Sequence, residues 1–170
     1  MKSIPFSFAT LFLLLFALSC ADSVPKLESI FPQQIDLMTV GIPVKIQAPA
    51  DAKVIDDSDN FLQDVKIKGQ DYYVQIYSET ARALDCKTLA TDAQRVLKTE
   101  NPNFKKIIKE DPCGFIYAVQ VPGDTTTCYN FGIYKIQGNK SYSFSTTNSN
   151  LVPFSLEKVE LMYRAVNDLK

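Results

Sequence analysis

Four cysteines, Cys20, Cys86, Cys113 and Cys128, are the residues of this chain best suited to covalent chemistry. A thiolate is a nucleophile and a soft metal ligand. What accompanies it decides which chemistry is open. The chain has no histidine, so neither a Ser-His-Asp nor a Cys-His relay can form within it. Zinc, copper and haem sites built on imidazole are excluded for the same reason. No two cysteines stand as C-x-x-C, which removes a thioredoxin-like redox pair. A bare thiol nucleophile remains, with Cys113 as its candidate, because Pro112 and Gly114 place it in a turn. No cation stands beside it in sequence to lower its pKa.

The other use of the thiols is a disulfide. Register limits the choice. If Gly123-Asp124 caps a regular hairpin, Cys128 stands opposite Val119 and Cys113 opposite Tyr134. Cys113 and Cys128 are then six residues out of register, about 20 Å at roughly 3.3 Å per residue. A disulfide needs Cα atoms within about 7 Å. The candidate pairs are therefore Cys86 with Cys113 and Cys86 with Cys128, and the sequence does not choose between them. Cys86 also reads as a small buried residue of a helix face.

Carboxylates are densest at Asp56-Asp57-Ser58-Asp59. Calcium prefers such oxygens, but the run lacks the spaced ligands, the glycine and the closing glutamate of an EF-hand loop. It reads as a solvated turn. No metal site and no cofactor are expected. The formal net charge is −1, with 18 basic and 19 acidic residues interspersed. Without a Lys/Arg stripe, nucleic acid is not an expected partner.

Residues 1–20 set the address. Lys2 is followed by an apolar run through Leu11-Phe12-Leu13-Leu14-Leu15-Phe16-Ala17-Leu18, then Ser19-Cys20. A basic start, a short apolar core and small residues at its end describe a secretory signal peptide. The run is shorter than the roughly 18–20 residues of a spanning helix. Ala17-Leu18-Ser19-Cys20 resembles the lipobox of bacterial lipoproteins, with its Leu two residues before the cysteine and not three. The resemblance implies cleavage before Cys20, lipidation of Cys20 and attachment to a membrane. Ordinary secretion is the alternative. The leader carries one lysine and no acid, so the mature chain stands at −2.

Residues 21–37 read as a tether and lead-in, part of which can pack as a short helix or edge through Leu27, Ile30 and Phe31. Residues 38–170 read as a single domain, large enough for a core of its own. Ile42 to Ile55 reads as a strand, a break at Pro49 and a second short strand. Residues 65–69 and 72–77 alternate at period two and read as a hairpin. Between Glu79 and Glu100 the period changes: Cys86, Leu89, Ala93, Val96 and Leu97 share a helical face, with Asp85 as N-cap and Asn101-Pro102 as stop. Phe104–Glu110 is a further strand. Phe115–Val121, apolar on both faces, Tyr129–Ile136 and Ser141–Ser145 make a three-stranded meander. Pro153–Lys170 closes the chain as a helix with Leu156, Val159, Met162, Tyr163, Val166 and Leu169 in one stripe.

A sheet strand buried on both sides needs cover on both sides, which two amphipathic helices supply. The expected fold is α+β, one antiparallel sheet of about six or seven strands packed by two main α-helices. This order of elements resembles the Mog1/PsbP-like fold. The residues that carry the resemblance are Gly41 to Val54, with its Pro breaks, the helix near 86–100 after a hairpin, and Tyr142–Ser145 before the last helix. A cystatin- or NTF2-like sheet is the structural alternative. The family includes non-catalytic photosystem subunits and a Ran-binding protein, and none of their functional residues maps onto this chain. With no catalytic constellation, the expected function is a non-enzymatic binding or accessory lipoprotein tethered to a bacterial envelope. Its expected partners are the membrane, through lipidated Cys20, and an envelope protein. Two alternatives stand beside it: a secreted small-ligand carrier using the chain's eight Tyr and eleven Phe, and a thiol-dependent enzyme.

Overall fold

Period-two stretches become strands and helical stripes become helices in the computed structural model, which describes residues 26–146 and 153–167. The leader and Cys20 lie outside the described residues. Among those residues the order is α1 (Leu27–Ile30), β1 (Gln33–Asp36), a 3-10 turn (Leu37–Val40), β2 (Lys45–Ala48), β3 (Lys53–Asp56), β4 (Gln63–Gly69), β5 (Tyr72–Thr80), α2 (Cys86–Glu100), β6 (Phe104–Asp111), β7 (Gly114–Val119), β8 (Cys128–Gln137), β9 (Lys140–Ser145) and α3 (Leu156–Asn167). Seven strands form one antiparallel sheet in the order β3-β4-β5-β9-β8-β7-β6, and β1 pairs with β2 in a separate ribbon. No described helix is long and apolar enough to cross a membrane.

The pleat sorts side chains onto two faces, and each face meets one long helix. Ile116, Phe131, Ile133, Phe144 and Ile76 share one face by register and are buried there. α3 lies on this face with Val159, Met162, Tyr163 and Val166 inward, each at most 1 % exposed. Tyr163 meets Phe131 edge-on at 5.7 Å and donates its hydroxyl to Asp111 Oδ2 at 2.8 Å. Lys135 reaches the last turn of α3, donating Nζ to the Val166 carbonyl at 2.9 Å. That is where a cation satisfies an orphan carbonyl and the helix dipole together. Burial holds its pKa below the ordinary lysine value.

α2 covers the opposite face over β7 and β8. Asp85 caps it, accepting the Thr88 amide at 2.7 Å, and the helix ends two residues before Pro102. Its packing is shallow. Only Ala90 and Gln94 are buried, while Val96, expected on the inward face, is 39 % exposed. Ala90 and Gln94 face the sheet, while Val96, Leu97 and Glu100 near the end of the helix line an open cleft above it.

Two features extend the sequence reading. The lead-in is part of the packed body from Leu27 onward: Leu27, Phe31, Ile35 and Leu37 are buried, and Phe31 meets Tyr72 edge-on at 5.0 Å. Their spacing matches no single period because the segment passes from helix to strand to 3-10 turn within fourteen residues. The two strands around Pro49 also belong to different sheets, β2 pairing with β1 and β3 with β4.

Candidate functional site

The standoff of α2 leaves a cleft of about 540 Å³ between the second half of the helix and the sheet. Its floor is aromatic. Phe115 and Tyr134 stack with ring centroids 6.3 Å apart and planes at 27°, and Tyr117 sits 5.7 Å from Phe115 at 46°. Gly132 lies opposite Phe115 in the β7–β8 ladder. A Cβ there would stand 3.3 Å from Phe115 Cζ and 3.3 Å from the Tyr134 hydroxyl, so the glycine lets both rings lie across the strand. Val96 and Leu97 form the apolar roof, and Ser143 and Ser145 of β9 form a polar wall.

Charge in the cleft is one-sided. Glu100 lines it, and among the described residues no lysine or arginine does. Burial, with the neighbouring Tyr117 second, pushes the Tyr134 hydroxyl up to about 12. It is therefore a proton donor at any physiological pH. The cleft offers flat apolar surface, hydroxyl groups and one carboxylate. The Glu100 carboxylate disfavours anions, whereas an uncharged apolar molecule, or a cation attracted by aromatic faces and Glu100, finds suitable partners.

The cysteines lie at the other end of α2. The structure joins Cys86, the first helical residue, to Cys113 in the β6–β7 turn, with Cα atoms 5.1 Å apart. Cys128 is half-buried and unbridged, opposite Val119 as register requires. Tyr134 N donates to the Cys113 carbonyl at 2.8 Å, which puts the two thiols of the β7–β8 hairpin at opposite ends of their ladder. Cys113, the candidate nucleophile, is consumed by its bond to Cys86. A second cavity of about 760 Å³ lies beside the disulfide, but charged Asp36 and Lys45, paired at 3.6 Å, stand in its wall.

No protein-family model matches the chain, and no curated protein or solved structure matches it either. The reading of the site therefore rests on its own chemistry.

The acidic run is committed to its loop. Asp59 Oδ1 accepts the Phe61 and Leu62 amides, each at 2.7 Å, Asp56 accepts the Ser58 amide at 3.1 Å, and Asp57 pairs with Lys66 at 2.7 Å. Lys66 also meets Asp64 at 3.1 Å, and hydrogen bonds to both aspartates hold its pKa above the ordinary lysine value. Gln75 extends the network, donating to Asp64 at 2.8 Å and accepting from Tyr73 at 3.2 Å. Among the described residues no cluster of three or more acidic or thiol groups is arranged to hold a metal.

Sequence reasoning did not bring the floor of the cleft together. The meander reading gave Tyr129–Ile136 as a strand and assigned no role to Gly132 or Tyr134. The available signal was Gly132 between two aromatic-rich strands, since a glycine inside a strand marks a close approach by another group.

Proposed function

We propose that this chain is a non-enzymatic binding protein, tethered to a bacterial envelope through a lipidated Cys20, which takes an uncharged or cationic apolar molecule into the cleft beneath α2. The observation that carries the binding half is the stacked floor of Phe115, Tyr117 and Tyr134 under an apolar roof, with no cation among the described lining residues. The tether rests on the leader and on Ala17-Leu18-Ser19-Cys20. A disulfide between Cys86 and Cys113 fits an oxidising compartment outside the cytoplasm. The order of hairpin, helix, meander and closing helix supports the Mog1/PsbP-like resemblance, whose members include proteins that bind without catalysing.

The test of the cleft is titration with N-phenyl-1-naphthylamine, an uncharged aromatic amine that fluoresces on leaving water. One saturable site is expected in the wild type. Ser143→Phe, which fills the polar wall, should abolish it while leaving the melting temperature unchanged. Absence of saturable binding, or equal binding by the variant, refutes the site. The intact mass of the mature protein from a Gram-negative host tests the tether. Acyl chains on an N-terminal Cys20 are expected; an unlipidated mass in the soluble fraction makes the same cleft that of a secreted carrier.

A further inference from the structure

One end of the sheet carries exposed apolar side chains that none of the described residues covers. Phe61 is 96 % exposed, in the loop between β3 and β4, and Leu84 is fully exposed just before α2. Leu62 and Met38 are exposed as well. β4 starts and β5 ends beside one another at this end, Gln63 facing Ser78. The 3-10 turn bearing Met38 joins them, through the bond from Gln63 Nε2 to the Val40 carbonyl at 2.6 Å. Single exposed apolar residues are ordinary, but a group at one end of a molecule marks an interaction site.

Phe61 is displayed by a braced loop. Asp59 holds the amides of Phe61 and Leu62, Asp59 N donates to the Leu62 carbonyl at 3.0 Å, and Asp57 N donates to the Asp64 carbonyl at 2.9 Å. The Asp64 amide in turn donates to Ser58 Oγ at 3.1 Å. Such bracing lowers the ordering cost of binding, which is the property of an aromatic anchor that fills a partner's pocket.

The charge around the ring selects the occupant. Residues 56–64 contain four aspartates and no lysine or arginine. The next cation along the chain, Lys66, is already shared between Asp57 and Asp64, and Arg82, near Leu84, pairs with Glu79 at 3.4 Å. An anionic bilayer would be repelled by this collar, and so would a second copy meeting it tip to tip. We propose that Phe61 is the anchor of a docking surface for another protein, one that presents an apolar socket rimmed by lysine or arginine.

Chain geometry points the same way, and this clause alone rests on the proposed lipid anchor. The described chain begins at Lys26 beside α1, which packs at the Tyr72 end of β5. β5 has nine residues, about 30 Å of strand. The six links from Cys20 to Lys26 reach about 20 Å when extended. An anchor at Cys20 therefore holds the chain by the end of β5 opposite to the one that carries Phe61.

The test places p-benzoyl-phenylalanine at position 61 of the full-length chain in its own host, with position 105, at the opposite edge of the sheet, as control. A discrete crosslinked envelope protein at 61, absent at 105, is expected. That protein is then purified and titrated against the mature chain. Phe61→Ala should weaken binding at least tenfold without moving the melting temperature, Phe61→Trp should retain it, and raising salt should weaken it. Absence of a specific crosslink, or equal binding by Phe61→Ala, overturns the proposal. So does flotation of the unlipidated chain with phosphatidylglycerol vesicles that Phe61→Ala abolishes, or a concentration-dependent homodimer that the same substitution dissolves. The intact mass of Cys20 is read separately, so a failed anchor and a failed docking surface give different results.

Discussion

Replacing Cys86 and Cys113 together by serine should destabilise the fold by about 3.6 kcal/mol. The cysteines are 27 residues apart in sequence. In the chain-entropy treatment, closing a loop of that size removes about 12 cal/mol/K from the unfolded ensemble, hence the figure at 25 °C. For a domain of this size the loss lowers the melting temperature by roughly 10 °C, or the urea midpoint by roughly 2 M. The loss also has a location. α2 buries only Ala90 and Gln94, and the bond fixes its first turn to the β6–β7 turn. Hydrogen exchange should therefore quicken in α2 well before it quickens in α3, whose inward face is wholly buried. The assay is urea unfolding of the double variant against the unreduced parent, followed by exchange mass spectrometry. A loss under 1 kcal/mol, or equal protection of the two helices, refutes the reasoning.

Other outcomes follow from single contacts. Gly114→Ala would put a Cβ 2.9 Å from the Gly132 carbonyl and 2.7 Å from the Tyr163 hydroxyl; an overpacking cost of about 1–3 kcal/mol is expected in urea unfolding. Tyr163→Phe deletes the hydroxyl that Asp111 accepts at 2.8 Å and should cost about 1 kcal/mol in the same assay. Tyr134 holds its proton up to about 12 in the fold, above its ordinary value of 10.0. The unfolded state thus loses that proton first, and stability falls as pH rises from 10 to 12, by about 2–3 kcal/mol through this group. Tyr134→Phe should flatten that part of the pH–stability curve, with late-ionising absorbance at 295 nm lost in step.

The α+β architecture was legible because its strands alternate cleanly. Tyr142 and Phe144 point inward as their spacing requires, and Cys128 stands opposite Val119. The double-sided pattern of β7 foretold a helix on each face, which α2 and α3 supply. The cleft was not legible, because it depends on how far α2 lifts from the sheet. Helical spacing places Val96 and Leu97 on one face but says nothing of that height. The lead-in was half legible: Leu27 and Phe31 were marked as able to pack, but the partner of Phe31 is Tyr72, more than forty residues away.

The sheet order carries a consequence for how the chain folds. β3-β4-β5 and β6-β7-β8-β9 are each ladders of neighbours in sequence, and they meet only where β5 pairs with β9. Partners across that seam lie 60 to 70 residues apart, from Thr80 with Lys140 to Gln75 with Ser145. Closing such a span comes late, after the local hairpins have formed, because its entropy must be spent before the contacts return it. Until then the inner edges of both half-sheets are unpaired, each a template for a strand of another chain. Zipping that central seam is the step at which a newly made molecule either completes its own sheet or joins a neighbour's.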